Sequence, residues 1–535
     1  MNREQSMYGY LKESCAKTQA VKIKYFNRTI TAGELCKRIE NTAGFLQAVG
    51  VKKGDSVGIA LPNIPEAVIS FYAINAVGAV ANLIHPKTGG EALYNILKST
   101  DTKIIFTYDG LYKTRQEYIK RAGVKTVLCT ASEFMRGALK LTAALATKKR
   151  FGGETAFKET QKDYIFDAPE AGAHDKAVYI HSGGTTGEPK TVVHSNYAFN
   201  AIADAVIATV YENIPIYLPT DSMLMTLPIF HSFGLGVSVH TLLTNAHIVM
   251  LPQFRTAAAI KLIKKHKITH LTGVPAMYRK MLEHRTFKGD LSSLKHIFCG
   301  GDKLSPDLKV RFDAALKKYG SDAELLEGYG LTEVGGVFSL SLNGLTRPRS
   351  QGKALIGSKV RVLKENGEDA AYGEEGEFWL ATPAMMLGYL NDQTTTNEVI
   401  KEYDGVKWFK TGDVGKIDED GYIYFCERAK RSLKIAGMNI FPSAVEEVIN
   451  TISGIRESCV ARMNKNGKAF TRAYVVLDKK TDEKLVAAKI KREVAARLIR
   501  YAVPKEIIFT DKLHRTPHAK IDYMRYENQP DDACN

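Results

Sequence analysis

The sequence predicts an α/β protein with a large N-terminal domain of layered α/β sheets plus a small β-barrel-like part, and a small mobile α+β C-terminal domain. Three observations predict this class. Short apolar runs alternate with helical stretches as far as Cys299, which favours largely parallel sheets covered by helices. After about Val337 the apolar runs become short and turn-bounded. Beyond Arg428 the chain is long enough for a separate domain, so we place the domains at 1–428 and 429–535.

The N-terminal domain is predicted to contain the following helices and strands, in chain order. Residues 22–31 alternate as a hairpin does, and Thr31 can cap a helix that runs to about Val49. Residues 54–62 are typical of a buried strand, and residues 64–80 of an apolar helix. A polar helix is predicted from Gly90, and further strands are predicted at 103–107, 125–129, 177–180, 191–194, 222–227, 247–251, 270–273 and 296–299.

The later part of the chain has a different pattern. Short β runs at 359–364, 376–381 and 421–425 are typical of a small barrel or an edge sheet. After Arg428 we expect a β-like piece, a turn at Gly437, and then the elements helix 443–452, strand 473–477 and helix 483–501. No low-complexity linker separates the two parts, so we expect the junction to be short and to act as a hinge.

Composition excludes several classes of protein. No apolar run approaches the roughly 18 residues that span a bilayer, and the N-terminus lacks the apolar core of a signal peptide. Seven cysteines occur without CxxC spacing, which argues against a zinc site or a disulfide framework. We therefore expect a cytoplasmic enzyme.

The formal net charge of +16 is compatible with nucleic acid, an anionic membrane or polyanionic small substrates. No aromatic-interleaved basic module is present, so a nucleic-acid partner is not expected. Residues 136–150 combine apolar residues at helical spacing with a basic end. Such a helix can lie on a membrane surface, but a solvated helix with a charged C-terminus is the favoured interpretation.

One glycine-rich stretch, YIHSGGTTGEPK at 179–190, predicts a phosphate loop. It is not a Walker A loop, because a proline precedes the lysine and a strand follows. The alternative is a flexible surface turn. Its glycines allow backbone N–H groups to point inward and its other polar residues add donors; these residues are Gly183, Gly184, Gly187, Ser182, Thr185, Thr186 and Lys190.

Three further stretches fit a phosphate site. YGLTE at 329–333 supplies an aromatic ring for a base and a carboxylate for Mg²⁺ that bridges phosphate oxygens. WFKTGD at 408–413 ends in an acid that can accept two ribose hydroxyls, and Arg428 follows it. HRTPHAK at 514–520 places a lysine where it can neutralise charge on a carboxylate or phosphate.

Together these stretches resemble the adenylate-forming superfamily, which includes acyl-CoA synthetases, luciferases and peptide-synthetase adenylation domains. The resemblance extends from about residue 30 to 525. It rests on the joint occurrence, in this order, of SGGTTGEPK, PIFHSFG, CGGDKLS, YGLTE, TGD, ERAKRSLKIAGMNIFP and RTPHAK.

The resemblance implies a role for each matching residue. Phosphate binding falls to Thr185, Thr186 and Lys190, magnesium binding to Glu333 and Thr186, and AMP binding also to Thr332. Asp413 would bind the ribose, assisted by Arg428, and Lys520 would bridge the carboxylate and the α-phosphate. The resemblance also implies an adenine pocket, formed by Gly300, Gly301, Asp302 and Tyr329. His231 would gate the acyl pocket, and Lys430 would be the hinge residue. Lys434 would help to bind the cofactor, and Gly437 would help to form the pantetheine channel.

Simpler interpretations exist for several of these residues. His231 can be a hydrogen-bonded core histidine, and Asp413 a turn residue. Lys430 and Lys434 can be solvated surface lysines. The sequence also departs from the family pattern where glycine is usual, at Thr191, Glu427 and Ala519.

The implied reaction is the ATP-dependent activation of a carboxylic acid, fatty or aryl, followed by transfer to coenzyme A. An α-amino acid is not expected, because residues 230–239 offer no carboxylate for its ammonium group. An apolar pocket is indicated instead by Gly234, Gly236, Val237, Val239 and Val337. Two alternatives stay open: transfer to the phosphopantetheine of an acyl carrier protein, and a weakly catalytic nucleotide sensor.

Overall fold

The computed structural model describes the chain in thirteen pieces, namely 1–17, 20–135, 154–169, 172–182, 190–211, 221–241, 243, 246–431, 433–435, 438–465, 468–478, 482–515 and 521–527. The basic stretch predicted at 136–150 lies outside these residues. The same holds for most of the predicted phosphate loop, with Thr185 and Thr186, and for Gly437 and Lys520.

The strands are numbered in chain order. Strands β1 to β9 are Val21–Tyr25, Arg28–Thr31, Ser56–Ala60, Val80–Leu83, Thr102–Tyr108, Lys125–Cys129, Thr155–Ala156, Lys176–His181 and Thr191–Ser195. Strands β10 to β19 are Ser222–Met225, His247–Met250, His270–Gly273, His296–Cys299, Leu325–Tyr329, Ser339–Leu340, Lys353–Ala354, Lys359–Leu363, Gly376–Ala381 and Gly388–Tyr389. Strands β20 to β27 are Ile400–Tyr403, Val406–Ile417, Ile423–Arg428, Leu433–Ile435, Met438–Ile440, Ile455–Lys465, Lys468–Leu477 and Glu506–Phe509.

The helices are numbered in the same way. Helices α1 to α7 are Met7–Ala16, Ala32–Ala48, Pro65–Ala76, Gly90–Ser99, Asp109–Tyr112, Gln116–Arg121 and Asn196–Tyr211. Helices α8 to α14 are Thr256–His266, Pro275–Glu283, Pro306–Lys318, Gln393–Val399, Pro442–Asn450, Glu483–Arg497 and Tyr523–Glu527. Short 3₁₀ turns occur at Phe157–Gln161, Thr332–Val334 and Arg500–Ala502, and Gly234–Thr241 forms a π-helix.

Two large sheets form the N-terminal part, as predicted. One has the order β16-β15-β14-β13-β12-β10-β11-β1-β2, and the other has the order β19-β9-β8-β4-β3-β5-β6-β7. Their central strands pair in parallel, and antiparallel pairs occur toward the edges, as between β1 and β2 or β8 and β9. The prediction of layered, largely parallel sheets is confirmed.

Local predictions also agree with the structure, apart from the ends of two helices. The helix predicted over 483–501 ends at Arg497, because Leu498 has an extended backbone. Thr31 caps α2 by accepting a hydrogen bond from the Glu34 backbone N–H at 3.4 Å. Every residue of β3 is buried, as expected for a strand covered on both faces. The predicted helix over 64–80 is too long, because Gly78 adopts φ +71° and β4 begins at Val80.

The third sheet and the C-terminal part complete the predicted class. Strands β17, β18, β21, β20 and β22 form an antiparallel sheet over a core that includes Phe378, Leu380 and Ile423. In the C-terminal part, β25, β26 and β27 form a sheet, and α12 and α13 share an apolar core with its strands. The sequence missed β25 and β27. None of the helices that the structure describes is long and apolar enough to cross a membrane.

A row of histidines begins three strands of the first sheet, two of which are neighbours and the third of which lies one strand further along. His247, His270 and His296 are the first residues of β11, β12 and β13, and all three are buried. The rings of His270 and His296 lie 4.9 Å apart. Burial lowers the pKa of His247 and of His296 to about 4, and it lowers the pKa of His270 well below its usual range. The fold therefore holds this row in the neutral form.

We predict that stability falls on acidification. Because the folded pKa values lie below the usual value of about 6.5, the unfolded chain binds more protons between pH 6.5 and 4. Each such histidine lowers the free energy of unfolding by up to about 1.4 kcal/mol per pH unit in that window. Urea unfolding between pH 7 and 5 should show this slope, and His296→Asn should reduce it. His174→Asn, at an exposed position, serves as the control; an equal change of slope in both variants would contradict the prediction.

Candidate functional site

A glycine-lined cleft opens where β13 and β14 end. It is lined by Phe233, Phe298, Cys299, Gly300, Gly301, Gly328, Tyr329, Gly330, Gly336, Val337 and Leu340. A Cβ atom on Gly330 would lie 2.5 Å from the Gly336 carbonyl oxygen, and one on Gly336, where φ is +99°, would lie 2.5 Å from the Phe233 nitrogen. Bare backbones thus pack closely around the cleft. Ligands of open α/β sheets bind at such carboxyl ends of strands.

The predicted adenine-pocket residues come together here. Gly300, Gly301 and Tyr329 line the cleft. Asp302 is exposed in the loop that follows β13, and its Oδ1 accepts a hydrogen bond from the Lys303 backbone N–H at 2.9 Å. The Tyr329 ring stacks on Phe425, with ring centroids 5.9 Å apart and planes inclined by 23°.

Asp413 lies beneath Tyr329, with only 1% of its surface exposed. The Tyr329 hydroxyl donates to Asp413 Oδ2 at 2.5 Å, and Arg428 Nε lies 2.8 Å from Asp413 Oδ1. Asp413 and Arg428 are direct partners on the paired strands β21 and β22. Asp413 is therefore a buried strand residue and not the turn residue of the simpler interpretation.

The electrostatics of Asp413 are set by burial. Burial raises the pKa of Asp413 to about 6, against the lowering effects of Arg428 and of the Tyr329 hydrogen bond. Its Oδ1 atom is buried and makes the ion pair with Arg428, and none of the described residues donates a well-aligned hydrogen bond to it. One ion pair and one hydrogen bond therefore hold this carboxylate in place.

A second group joins Glu333, Tyr389 and Lys190. The Tyr389 hydroxyl donates to Glu333 Oε1 at 3.0 Å, and Lys190 Nζ lies 4.7 Å from the centre of the Tyr389 ring. Thr332 begins the 3₁₀ turn that carries Glu333, and its carbonyl accepts a hydrogen bond from His194 Nε2 at 2.7 Å. Tyr389 therefore holds a carboxylate and a lysine that the sequence predicted separately.

Sequence reasoning missed Tyr389. It stands in β19, which pairs with β9, so the fold brings it to Lys190 from some two hundred positions along the chain. The local sequence LGYL at 387–390 carries no signal that distinguishes this tyrosine from others.

The ends of the predicted phosphate loop lie close together. The Ser182 backbone N–H donates to the Lys190 carbonyl at 2.8 Å, and the Lys190 backbone N–H donates to Ser182 Oγ at 3.2 Å. Strands β8 and β9 pair antiparallel on either side. This agrees with the expectation that a strand and not a helix follows the loop. The loop's own residues between these ends, with Thr185 and Thr186, lie outside the described part of the chain.

The predicted acyl side lies next to the cleft. His231 is partly exposed, and its ring centroid is 4.7 Å from that of Phe230. The π-helix Gly234–Thr241 is buried throughout. A Cβ atom on Gly234 would lie 2.0 Å from the Pro228 carbonyl oxygen, so glycine is required there. Val337 is shared between this region and the cleft lining.

The remaining predicted residues lie at the junction or outside the described residues. Lys430 is exposed in the segment after β22. The side chain of Lys434, residue Gly437 and the loop that carries Lys520 are not among the described parts. The structure thus brings together the residues of the adenine, ribose and Glu333 regions, and it leaves the positions of Thr185, Thr186 and Lys520 undescribed.

We predict that neutralising Asp413 does not destabilise the protein. Because the folded pKa is raised above the usual value of about 4, the cost of the buried charge is present above pH 6 and disappears as the pH falls toward 4. Asp413→Asn should therefore have a melting temperature at pH 8 equal to or above that of the wild type. The difference should shrink at pH 5.

Asp418→Asn is the matched control, in the turn that joins β21 to β22. Burial opposes the shift, but hydrogen bonds from Tyr422, Tyr424 and Arg347 lower the pKa of Asp418, so its neutralisation should lower the melting temperature at pH 8. If Asp413→Asn were as destabilised as Asp418→Asn, the ion pair between Asp413 and Arg428 would stabilise the fold, and the prediction would be wrong.

Comparison with known proteins identifies the family. Residues 11–390 match the family of the AMP-binding enzyme, and residues 444–520 match the AMP-binding enzyme C-terminal domain. A long-chain-fatty-acid–CoA ligase of Bacillus subtilis is 29% identical over 516 residues, which cover 93% of this chain and 90% of that protein. A probable 4-coumarate–CoA ligase 3 of Dictyostelium discoideum is 30% identical over 446 residues, which cover 82% and 79%.

Solved structures share the fold. An anthranilate CoA ligase in complex with anthranoyl-AMP superposes with a TM-score of 0.85 at 20% identity and covers 98% of this chain and 97% of its own. ATP-bound MatB from Rhodopseudomonas palustris superposes with a TM-score of 0.83 at 24% identity and covers 99% of both chains. The chain therefore belongs to the AMP-binding enzyme family and is an adenylate-forming enzyme of the acyl-CoA synthetase type.

Proposed function

We propose that the protein is an ATP-dependent ligase that activates a fatty or aryl carboxylic acid as its acyl-adenylate and transfers the acyl group to coenzyme A. The observation that carries this proposal is the buried Asp413 carboxylate, which accepts a hydrogen bond from Tyr329, a residue that lines the glycine-rich cleft. The relatives named as CoA ligases for long-chain fatty acids and 4-coumarate support the reaction type.

The adenosine part of ATP fits the cleft. Gly300, Gly301 and Tyr329 would contact the adenine, with Asp302 at the rim. Asp413 would accept the ribose hydroxyls, and Arg428 would assist by holding the carboxylate ionised. Hydrogen bonds to a charged acceptor are among the stronger ones in proteins, which suits an anchor for the sugar.

The phosphates and Mg²⁺ would lie between the loop 183–189 and Glu333. Thr185, Thr186 and Lys190 would bind the phosphates, with Thr332 beside the α-phosphate. Glu333 is partly exposed, and Tyr389 engages one of its two carboxylate oxygens. Magnesium is commonly bound by one or two carboxylates plus substrate phosphates, so Glu333 and Thr186 fit it. When bound, the ion would neutralise negative charge on the phosphate oxygens.

The reaction would have two steps. In the first, a carboxylate oxygen attacks the α-phosphorus, the bond from that phosphorus to the bridging oxygen breaks, and pyrophosphate leaves. In the second, the sulfur of coenzyme A, having lost its proton, attacks the acyl carbon, and AMP leaves as the carbon–oxygen bond breaks. We propose that Lys520 stabilises the charge that develops in the first step.

Because one site cannot serve both steps in one arrangement, we propose that residues 429–535 move as a domain about Lys430. The exposed Lys430 directly follows the last strand of the large domain. Lys434 and Gly437 would then approach coenzyme A in the second step. His231 would gate the acyl pocket, whose buried walls Val237, Val239 and Val337 suit an apolar acid.

A panel of carboxylic acids tests the function. We expect acid-dependent exchange of labelled pyrophosphate into ATP with one class of fatty or aryl acid, and a thioester when coenzyme A is added. Lys520→Ala should lower the exchange by at least about 10²-fold, a typical loss for one electrostatic donor, but should still convert a supplied acyl-adenylate to thioester. Lys512→Ala is the control. Lys512 is an exposed lysine eight residues before Lys520, and its removal should leave both steps unchanged.

Three outcomes would overturn parts of the proposal. No exchange with any acid would favour a nucleotide sensor. Exchange without thioester formation, followed by loading of a carrier-protein phosphopantetheine, would replace coenzyme A as acceptor. Equal loss of both steps in Lys520→Ala would remove the role assigned to Lys520.

A further inference from the structure

A carboxylate of the C-terminal part, Glu447, joins two separate segments of the large domain. Its carboxylate oxygens lie 3.1 Å from Lys303 Nζ and 3.0 Å from Arg349 Nη2. The Glu447 side chain is only 15% exposed, and that of Lys303 31%. Lys303 follows Asp302 in the loop of the adenine cleft, so this ion pair ties α12 directly to the nucleotide site.

The same helix face makes further contacts across the junction. The Ser443 backbone N–H donates to Glu427 Oε2 at 2.9 Å, and Ser443 Oγ donates to the Cys426 carbonyl at 2.9 Å. Ser443 and Glu447 are four residues apart and therefore lie on one face of α12. Glu427 belongs to β22, which pairs with β21 in the large domain. One face of α12 thus contacts the large domain twice, at Ser443 near the start of the helix and at Glu447 one turn later.

The same contacts lie beside the helix that follows the C-terminal loop. Tyr523, three residues after Lys520, lies against Arg431, whose guanidinium is 3.5 Å from the ring centre. Arg431 in turn pairs with Glu446 at 2.9 Å, and Glu446 is the neighbour of Glu447 on α12. The hairpin of β23 and β24 packs elsewhere, against β26 and Arg500–Ala502 within the small domain. The described residue Tyr523 is therefore on the side of the small domain that faces Lys303.

We propose that Glu447 is a positioning residue that latches the small domain, through Lys303 and Arg349, in the orientation for acyl-adenylate formation. The proposal rests on the two-step function proposed above. The latch must open before the thiol can attack, so it sets how the enzyme divides its time between the two half-reactions. Its partners are partly exposed, and such ion pairs are individually weak. A weak latch suits a contact that opens in every turnover.

The latch makes opposite predictions for the two half-reactions. Glu447→Gln should increase thioester formation from a supplied acyl-adenylate about three- to tenfold, because the open orientation becomes more populated. Acid-dependent pyrophosphate exchange should fall by a factor in the same range, with KM for ATP unchanged. A merely structural role would lower both steps together. Lys303→Gln should shift the ratio in the same direction, because it removes one of the two partners of Glu447.

Glu493→Gln is the matched control. Glu493 is also a partly buried carboxylate between two cations, 3.3 Å from Arg492 and 3.0 Å from Arg497, but all three lie on α13 within the small domain. This variant should lose a comparable pair of ion contacts without changing the ratio of the half-reactions.

A distance measurement without substrates tests the latch independently of the proposed enzymatic function. Spin labels carried by unnatural amino acids at the exposed positions Lys407 and Lys489 report the distance between the domains. Glu447→Gln and 1 M salt should both broaden or shift the distance distribution of the full-length protein, and Glu493→Gln should not. An unchanged distribution in Glu447→Gln overturns the latch even if the enzyme is active. A shifted distribution with no acid-dependent exchange in the wild type supports the latch and refutes the function instead.

Discussion

The site depends on the burial of one carboxylate at the meeting point of three strands. Asp413 on β21 reaches Tyr329 at the end of β14 and Arg428 on β22. A buried charge is costly unless it is paired and hydrogen-bonded, and here burial still raises the pKa of Asp413 in spite of Arg428 and the Tyr329 hydroxyl. The fold therefore keeps an energetically unfavourable carboxylate beside the cleft, and we propose that hydroxyl groups of a ligand stabilise it. Such local cost at a functional position is common in proteins.

Close packing of the backbone shapes the cleft next to this carboxylate. The glycines of the cleft allow strands and loops to approach where any side chain would clash, as at Gly330 and Gly336. The result is a narrow slot at the carboxyl ends of parallel strands, next to a carboxylate that belongs to the antiparallel sheet. The candidate site thus lies where the first and third sheets meet, and the small domain follows β22 at the same place.

The sequence predicted those features that depend on local pattern. Strands buried on both faces, such as His270–Gly273 and His296–Cys299, were predicted with their observed bounds, because each is a short run between turns or helices. The strand Ile455–Lys465 was missed, since polar residues interrupt its apolar positions. Glu506–Phe509 was missed because it is only four residues long, and pairing with β26 stabilises both strands. The motifs also indicated Asp413 and Glu333. Tyr389 and Glu447 could not be predicted, because their contacts join segments far apart in the chain and leave no local signal.

The central claim is that the buried Asp413 carboxylate holds the ribose of ATP, and calorimetry of ATP binding tests it most directly. The comparison is between the wild type and Asp413→Asn, with Asp418→Asn as the control for altered stability. Hydrogen bonds to charged groups contribute about 1.5–3 kcal/mol each, so the account predicts that Asp413→Asn weakens ATP binding by at least about tenfold. It also predicts that 2′,3′-dideoxy-ATP binds to both proteins with similar affinity. Equal ATP affinity in the wild type and Asp413→Asn would contradict the account.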